Sequence, residues 1–156
     1  MTSWVDAKGE FVRDAFYFRE IHVLDATQSD WQRMLAALPK STWGWVYKYD
    51  EKVTALPTAF SKSLQEQGSP YLVVDLERLG LRCIFLEEDD LEFFFDVASV
   101  QDEPAFERLL EFMRWLCKVL GKPVALFHET PVPPFSDAIL YVTPDCCAAP
   151  LDEVIE

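Results

Sequence analysis

The alternation of apolar and polar residues predicts a sheet protein with two principal helices. Runs rich in aromatic and β-branched residues are typical of strands and fall at 15–24, 43–49, 71–77, 81–87, 91–96, 124–128 and 138–143. Apolar residues at i, i+3, i+4 and i+7 from Trp31 to Leu38 predict an amphipathic helix that Pro39 closes.

A longer helix is predicted over 103–120, with Pro104 in its first turn and Gly121 at its end. A shorter helix is predicted around 57–67, where Pro57 suits a first turn and Gly68 an end. These two, with the Trp31–Leu38 helix, are the helical segments that the pattern supports.

The order of these elements is not a strict alternation of strand and helix. The short gap between 81–87 and 91–96 favours an antiparallel hairpin, and the long helix allows one parallel crossover. We expect an α+β fold, with a mostly antiparallel sheet of about six to seven strands and two main helices packed on it. The 156 residues fit a single domain, 1–156, with 1–12 and 145–156 as loose termini.

The net charge of −13 is concentrated in one part of the chain. Residues 75–112 contain 12 acidic and 3 basic residues. Such a field disfavours nucleic acids and anionic membranes as partners and favours a basic protein. The candidate steering residues for such a partner are Glu87, Glu88, Asp89, Asp90 and Glu92. The alternative is a solvated turn followed by acids that suit a helix N-terminus.

The segment 43–49 places four aromatic residues on one strand face: Trp43, Trp45, Tyr47 and Tyr49. They are candidates for a binding platform, since Trp and Tyr are enriched at binding hot spots. The alternative is burial beneath a helix, which large aromatic side chains generally favour.

The long helix carries a second apolar stripe beside its main apolar face. Phe112 and Trp115 are candidate partner contacts, and with Val119 they would also suit an isologous homodimer surface. The alternative is that another element of the same chain covers the stripe, because large exposed apolar patches are rare.

No residue pattern predicts a catalytic, cofactor or metal site. Consecutive carboxylates at 87–90 cannot converge on one ion, and neither histidine has metal-ligand spacing to a cysteine. His128 could serve as a base only if Cys146 or Cys147 folded back to it, and His22 is interpreted as structural. A ligand pocket between the sheet and the Pro-rich loop 131–134 is the remaining small-molecule alternative.

The four cysteines form no C-x-x-C pair, and the N-terminus has no secretory pattern. We therefore expect a reduced, cytoplasmic protein.

In its size, its acidity and its lack of catalytic motifs, the chain resembles the small acidic immunity proteins of bacterial toxin systems. The acidic run Glu87–Asp90 and the aromatic strand Trp43–Tyr49 are compatible with that class. The resemblance implies a compact cytoplasmic domain that neutralises a cognate toxin by binding it. A homo-oligomeric accessory protein, and a small-ligand-binding domain or enzyme, are the alternatives.

Overall fold

The computed structural model describes residues 3–12, 17–66, 68–128 and 137–145, and the backbone of 148–149. The α-helices are α1 (Trp4–Ala7), α2 (Gln28–Ala37), α3 (Ser63–Glu66) and α4 (Glu103–Leu120). The β-strands are β1 (Phe18–Val23), β2 (Gly44–Tyr49), β3 (Lys52–Val53), β4 (Pro70–Asp75), β5 (Gly80–Ile84), β6 (Glu92–Asp96), β7 (Val124–Phe127), β8 (Leu140–Val142) and β9 (Ala148–Ala149). Single 3-10 turns cover Lys8–Phe11, Leu38–Lys40 and Val97–Ser99.

The strands form one sheet in the order β3-β2-β4-β5-β6-β1-β7-β8-β9. The pairings are antiparallel. Because β6 and β7 both run antiparallel to β1 between them, they are parallel to each other, and α4 makes the crossover that the sequence allowed. The fold is α+β, as predicted, with α2 and α4 as its two main helices. Within the described chain seven strands exceed two residues, and β3 and β9 add two short ones.

Both main helices begin with side-chain caps. In α4 the carboxylate of Asp102 accepts a hydrogen bond from the Ala105 amide, and the helix ends at Gly121, whose φ of 65° lies in the left-handed region. The α2 helix starts with a capping box in which Thr27 and Asp30 satisfy each other's backbone amides. The predicted helix over 103–120 is therefore confirmed at both ends.

The predicted helix over 57–67 is wrong for most of its length, since among its described residues, 57–66, only Ser63–Glu66 is helical. The side chain of Gln28 accepts from the amide of Phe60 at 3.0 Å and donates to its carbonyl at 2.6 Å. Because a helix would need these two backbone groups, the contact with α2 holds this segment outside helical geometry.

Residues 3–12, which we expected to form a loose terminus, pack against the rest of the fold. Arg19 of β1 is fully buried and donates to the carbonyls of Glu10 at 3.0 Å and Val12 at 3.2 Å. Phe11 is also buried in the core. In the predicted loose C-terminal segment, Ala148–Ala149 forms β9 beside β8. Residues 146–147 and 150–156, and the Pro-rich loop 131–134, lie outside the described residues.

Trp43, directly before β2, and Tyr47 of β2 point into the core. Trp43 and Tyr47 are buried, and the Trp43 ring lies 5.7 Å from Phe112 of α4. Phe112 is itself fully buried, 5.0 Å from the ring of Phe93 on β6. Burial corrects the partner-binding prediction for these three residues, because Phe112 has no accessible surface and Trp43 and Tyr47 have little to offer a partner. Trp45 and Tyr49, on the same face of β2, are half-buried.

The second apolar stripe of α4 is largely covered by its own chain. Trp115 is half-buried and packs against Phe112 at 5.6 Å and Trp43 at 6.4 Å between ring centroids. Val119 is half-buried as well. Trp43, directly before β2, thus supplies part of the cover that a homodimer partner would otherwise have to provide.

Candidate functional site

The sheet has one face packed on the helices and one face turned away from them. Along β1, Ile21 and Val23 point to the core, so Glu20 and His22 point to the other side. On β6 the same alternation sends Phe93 inward and Glu92 outward. His22 and Glu92 are direct partners in the β1–β6 register. Two acidic side chains and one imidazole therefore meet on the outer face.

His22 lies at the centre of a charged group that also contains Glu20, Asp90 and Glu92. Its Nε2 is 3.0 Å from Glu20 Oε2 and 3.2 Å from Glu92 Oε2, and its Nδ1 is 3.4 Å from Asp90 Oδ1. We call these four residues the His22 cluster. Only 8% of the His22 side chain is exposed, against 22% for Glu20 and 14% for Glu92. Both ring nitrogens therefore face carboxylates in a poorly solvated setting.

The carboxylates control the charge of the imidazole. Burial by itself would lower the pKa of His22, but hydrogen bonds to Asp90 and Glu20 and the charge of Glu92 outweigh it and raise the pKa to about 9. Burial and repulsion from Asp90 raise the pKa of Glu92 to about 7, against the opposing effect of His22. Three carboxylates face one imidazolium, so the cluster retains excess negative charge.

The cluster contains a set of possible metal ligands. One atom each from Glu20, His22 and Glu92 lies within 4.8 Å of the other two. This group was not predicted from the sequence. Glu20 and His22 share a strand face by their i, i+2 spacing, and that signal was available. Their approach to Glu92 depends on the pairing register of β1 with β6, which no local pattern reveals.

The acidic turn, residues 87–90, joins β5 to β6 beside the cluster. Glu87, Glu88 and Asp89 are exposed, and Asp90 turns back to His22. The turn is closed by a bridge between Glu87 and Asp90. The predicted acidic group thus divides in two, because Asp90 and Glu92 join the cluster whereas the other three carboxylates face solvent.

The backbone of the acidic turn is anchored to the fold. The indole of Trp31 on α2 donates to the Glu88 carbonyl at 2.9 Å, and Trp31 is fully buried. Lys62 lies 3.8 Å from Glu87, with both side chains largely exposed. A concavity of about 410 Å³ beside the turn is lined by Ala26, Thr27, Lys62, Glu87, Glu88 and Asp89. The carboxylates are therefore presented on a fixed support.

Aromatic residues occupy the outer sheet face farther from the acidic turn. Phe18 of β1 is 51% exposed and meets Phe94 of β6 edge-on, with ring centroids 5.8 Å apart. Arg82 of β5 pairs with Phe94 in register and is exposed. A concavity of about 310 Å³ is lined by Phe18, Gly80, Arg82, Phe94, Phe95, Asp96 and Ser99. These accessible aromatics differ from the ones that the sequence analysis selected.

The second histidine lies away from the cluster. His128 Nε2 contacts Glu10 Oε2 at 2.6 Å, which ties the end of β7 to the N-terminal segment. Cys146 and Cys147, which the sequence analysis weighed as its neighbours, lie outside the described residues.

The chain matches no protein-family model, no curated protein and no solved structure. Over the part of the chain that the structure describes, no helix combines the length and apolar character needed to cross a membrane.

Proposed function

We propose that the protein is a binding module that engages a basic protein through the acidic turn and the adjoining outer sheet face. The observation that carries the proposal is the group of three exposed carboxylates, Glu87, Glu88 and Asp89, on a turn that Trp31 fixes to the fold. The role is of the immunity-protein type, in which binding itself neutralises the partner, and the setting is the cytoplasm.

Electrostatics supports a basic partner. The negative charge of the turn continues into the His22 cluster, where three carboxylates outnumber one imidazolium. Concentrated charge of one sign attracts a partner of the opposite sign during diffusion and raises the association rate by about 10- to 1,000-fold. A fixed backbone adds to this, because little conformational entropy is lost when the turn is bound.

Apolar contacts are available next to the charge. Leu86, directly before the turn, is 49% exposed, and Phe18 with Phe94 lies along the same outer face. Stable interfaces combine apolar or aromatic anchors with a polar rim. The outer face offers both. Phe18 and Phe94 therefore take the place of the aromatic residues at 43–49 as the proposed aromatic contacts with the partner.

Two thiol-bearing residues support a reducing compartment. Cys83 and Cys117 are buried thiols, and burial raises the pKa of Cys83 well above its ordinary value. Buried protonated thiols of this kind are typical of proteins that fold without disulfides.

The test is affinity capture from a lysate of the native cell with three versions of the protein. The turn variant carries Glu87→Gln, Glu88→Gln and Asp89→Asn. The control variant carries Glu103→Gln, Glu107→Gln and Glu111→Gln, which remove the same charge from the exposed side of α4.

We expect the wild type and the control to retain the same basic protein at low salt and to release it at high salt. The turn variant should retain little of it. Equal retention by all three proteins, or an equal loss from both variants, would refute the role of the acidic turn, because overall charge would then explain the result.

A further inference from the structure

The outer face of β1 and β6 holds three potential ligand atoms in fixed positions. Glu20 and His22 are two residues apart on β1, and Glu92 lies opposite His22 on β6. Both strands lie in the interior of the sheet, between β5 and β7. The backbone positions of the three residues are therefore set by hydrogen-bonded strand pairing, and a ligand would find them already assembled.

The distances suit a common coordination centre. Metal bonds of about 2.1 Å to nitrogen and oxygen place neighbouring ligand atoms about 3.0–3.4 Å apart at bond angles between square and tetrahedral. His22 Nε2 lies 3.0 Å from Glu20 Oε2 and 3.2 Å from Glu92 Oε2. The three atoms fall within 4.8 Å of one another, a bound about 0.6 Å above the roughly 4.2 Å that two such bonds span. Binding of one ion would therefore require the Glu20 and Glu92 carboxylates to draw together by side-chain rotation.

Asp90 lies where its carboxylate can orient the His22 ring. Histidines that bind a metal through one ring nitrogen generally donate the other ring N–H to a carboxylate or carbonyl. With Nε2 directed at Glu20 and Glu92, the Nδ1 of His22 faces Asp90 Oδ1 at 3.4 Å. Asp90 is thus placed to orient the ring and to select the tautomer whose Nε2 is open to a metal.

Charge balance points to a divalent ion. With the three carboxylates of the His22 cluster ionised, a proton on His22 leaves a net charge of −2, whereas a 2+ ion beside a neutral imidazole leaves −1, so the divalent ion balances the cluster better. A site with only three protein ligands, one of them an imidazole, favours zinc-class ions. Calcium takes six to eight oxygen ligands, and magnesium also prefers oxygen. The partial exposure of Glu20 leaves room for water in the remaining coordination positions.

We propose that Glu20, His22 and Glu92 bind one divalent transition-metal ion of the zinc class, with Asp90 as the positioning carboxylate. A bound ion would offset part of the negative charge of the His22 cluster, but zinc binding and partner capture are measured separately, so the failure of one proposal is distinguishable from the failure of the other.

The test is calorimetric titration of the full chain with Zn²⁺ after removal of metals by a chelator. We expect one saturable site per chain. His22→Ala and Glu92→Gln should each weaken it at least tenfold, and Asp90→Asn should weaken it by about 10- to 100-fold. His128→Ala removes the other histidine of the chain, and Glu88→Gln removes one carboxylate from the acidic turn; both should leave the affinity unchanged.

Absence of a saturable site in the wild type would overturn the proposal. So would an equal weakening by Glu88→Gln and Glu92→Gln, since the ion would then be held by diffuse negative charge. An X-ray absorption spectrum of the zinc-loaded wild type requires no variant to fold. It should show nitrogen and oxygen neighbours with an imidazole contribution, and a sulfur neighbour would refute this ligand set.

Discussion

Replacing His22 with Gln should destabilise the metal-free protein strongly, because His22 is the cation facing three carboxylates. Its contacts at 3.0, 3.2 and 3.4 Å each correspond to about 5 kcal/mol of Coulomb attraction at an effective dielectric constant of about 20. Burial of the charges offsets much of this attraction. Removing one partner of such a buried group lowers the free energy of unfolding by about 3–5 kcal/mol. For His22→Gln we expect a loss of about 3 kcal/mol at pH 8.

Replacing Glu92 with Gln should have a much smaller effect. The pKa of Glu92 is raised to about 7, so the fold disfavours its charge, and its removal should change the free energy of unfolding by about 1 kcal/mol or less. In the double variant H22Q/E92Q the loss should be smaller than in H22Q alone, because one of the unbalanced carboxylates is gone.

Urea unfolding at pH 8 with a chelator present would measure all four proteins of this cycle. His128→Gln is the matched control, since its contact with Glu10 is more exposed, and we expect it to cost under about 1 kcal/mol. A loss of stability below about 1 kcal/mol for H22Q would contradict the stabilising role of the His22 cluster. The same loss in H22Q and in H22Q/E92Q would also contradict it.

Three further predictions concern the core and its edges. Phe112→Ala should cost about 3–5 kcal/mol in thermal or urea unfolding, because it leaves a cavity beside Trp43 and Phe93; a loss under about 1 kcal/mol would contradict the burial of its ring. Arg19→Met should leave backbone carbonyls of the N-terminal segment unsatisfied and accelerate amide exchange over residues 3–12, while unchanged exchange would refute the anchoring role. In a variant with Cys146 and Cys147 changed to Ser, a thiol reagent should label Cys83 and Cys117 only after unfolding, and rapid labelling of the native protein would contradict their burial.

The elements that local chemistry determines were predictable from the sequence. The α4 helix combines a long apolar repeat with Pro104 at its start and Gly121 at its end, and its bounds match the prediction. The short helix failed for a reason that local patterns do not contain. Gln28, 32 residues away in the chain, takes the backbone groups of Phe60.

The candidate site was only partly predictable, because it depends on strand register. The acidic turn follows from the sequence, but the meeting of His22 with Glu92 requires β1 and β6 to pair in one particular register. The aromatic residues illustrate the same limit. Alternation puts Trp43, directly before β2, on the same side as Tyr47, yet only the tertiary packing, with α4 against Trp43 and Phe85 against Tyr47, decides whether that side is covered.

The most direct test of the proposed function measures association kinetics between the protein and the basic partner that it captures. Changing Glu87, Glu88 and Asp89 to their amides should lower the association rate constant about tenfold or more at low salt and weaken its salt dependence, with little change in dissociation. The variant with Glu103, Glu107 and Glu111 changed to Gln should associate nearly as fast as the wild type. Equal association rates for the turn variant and the wild type at low salt would contradict the account.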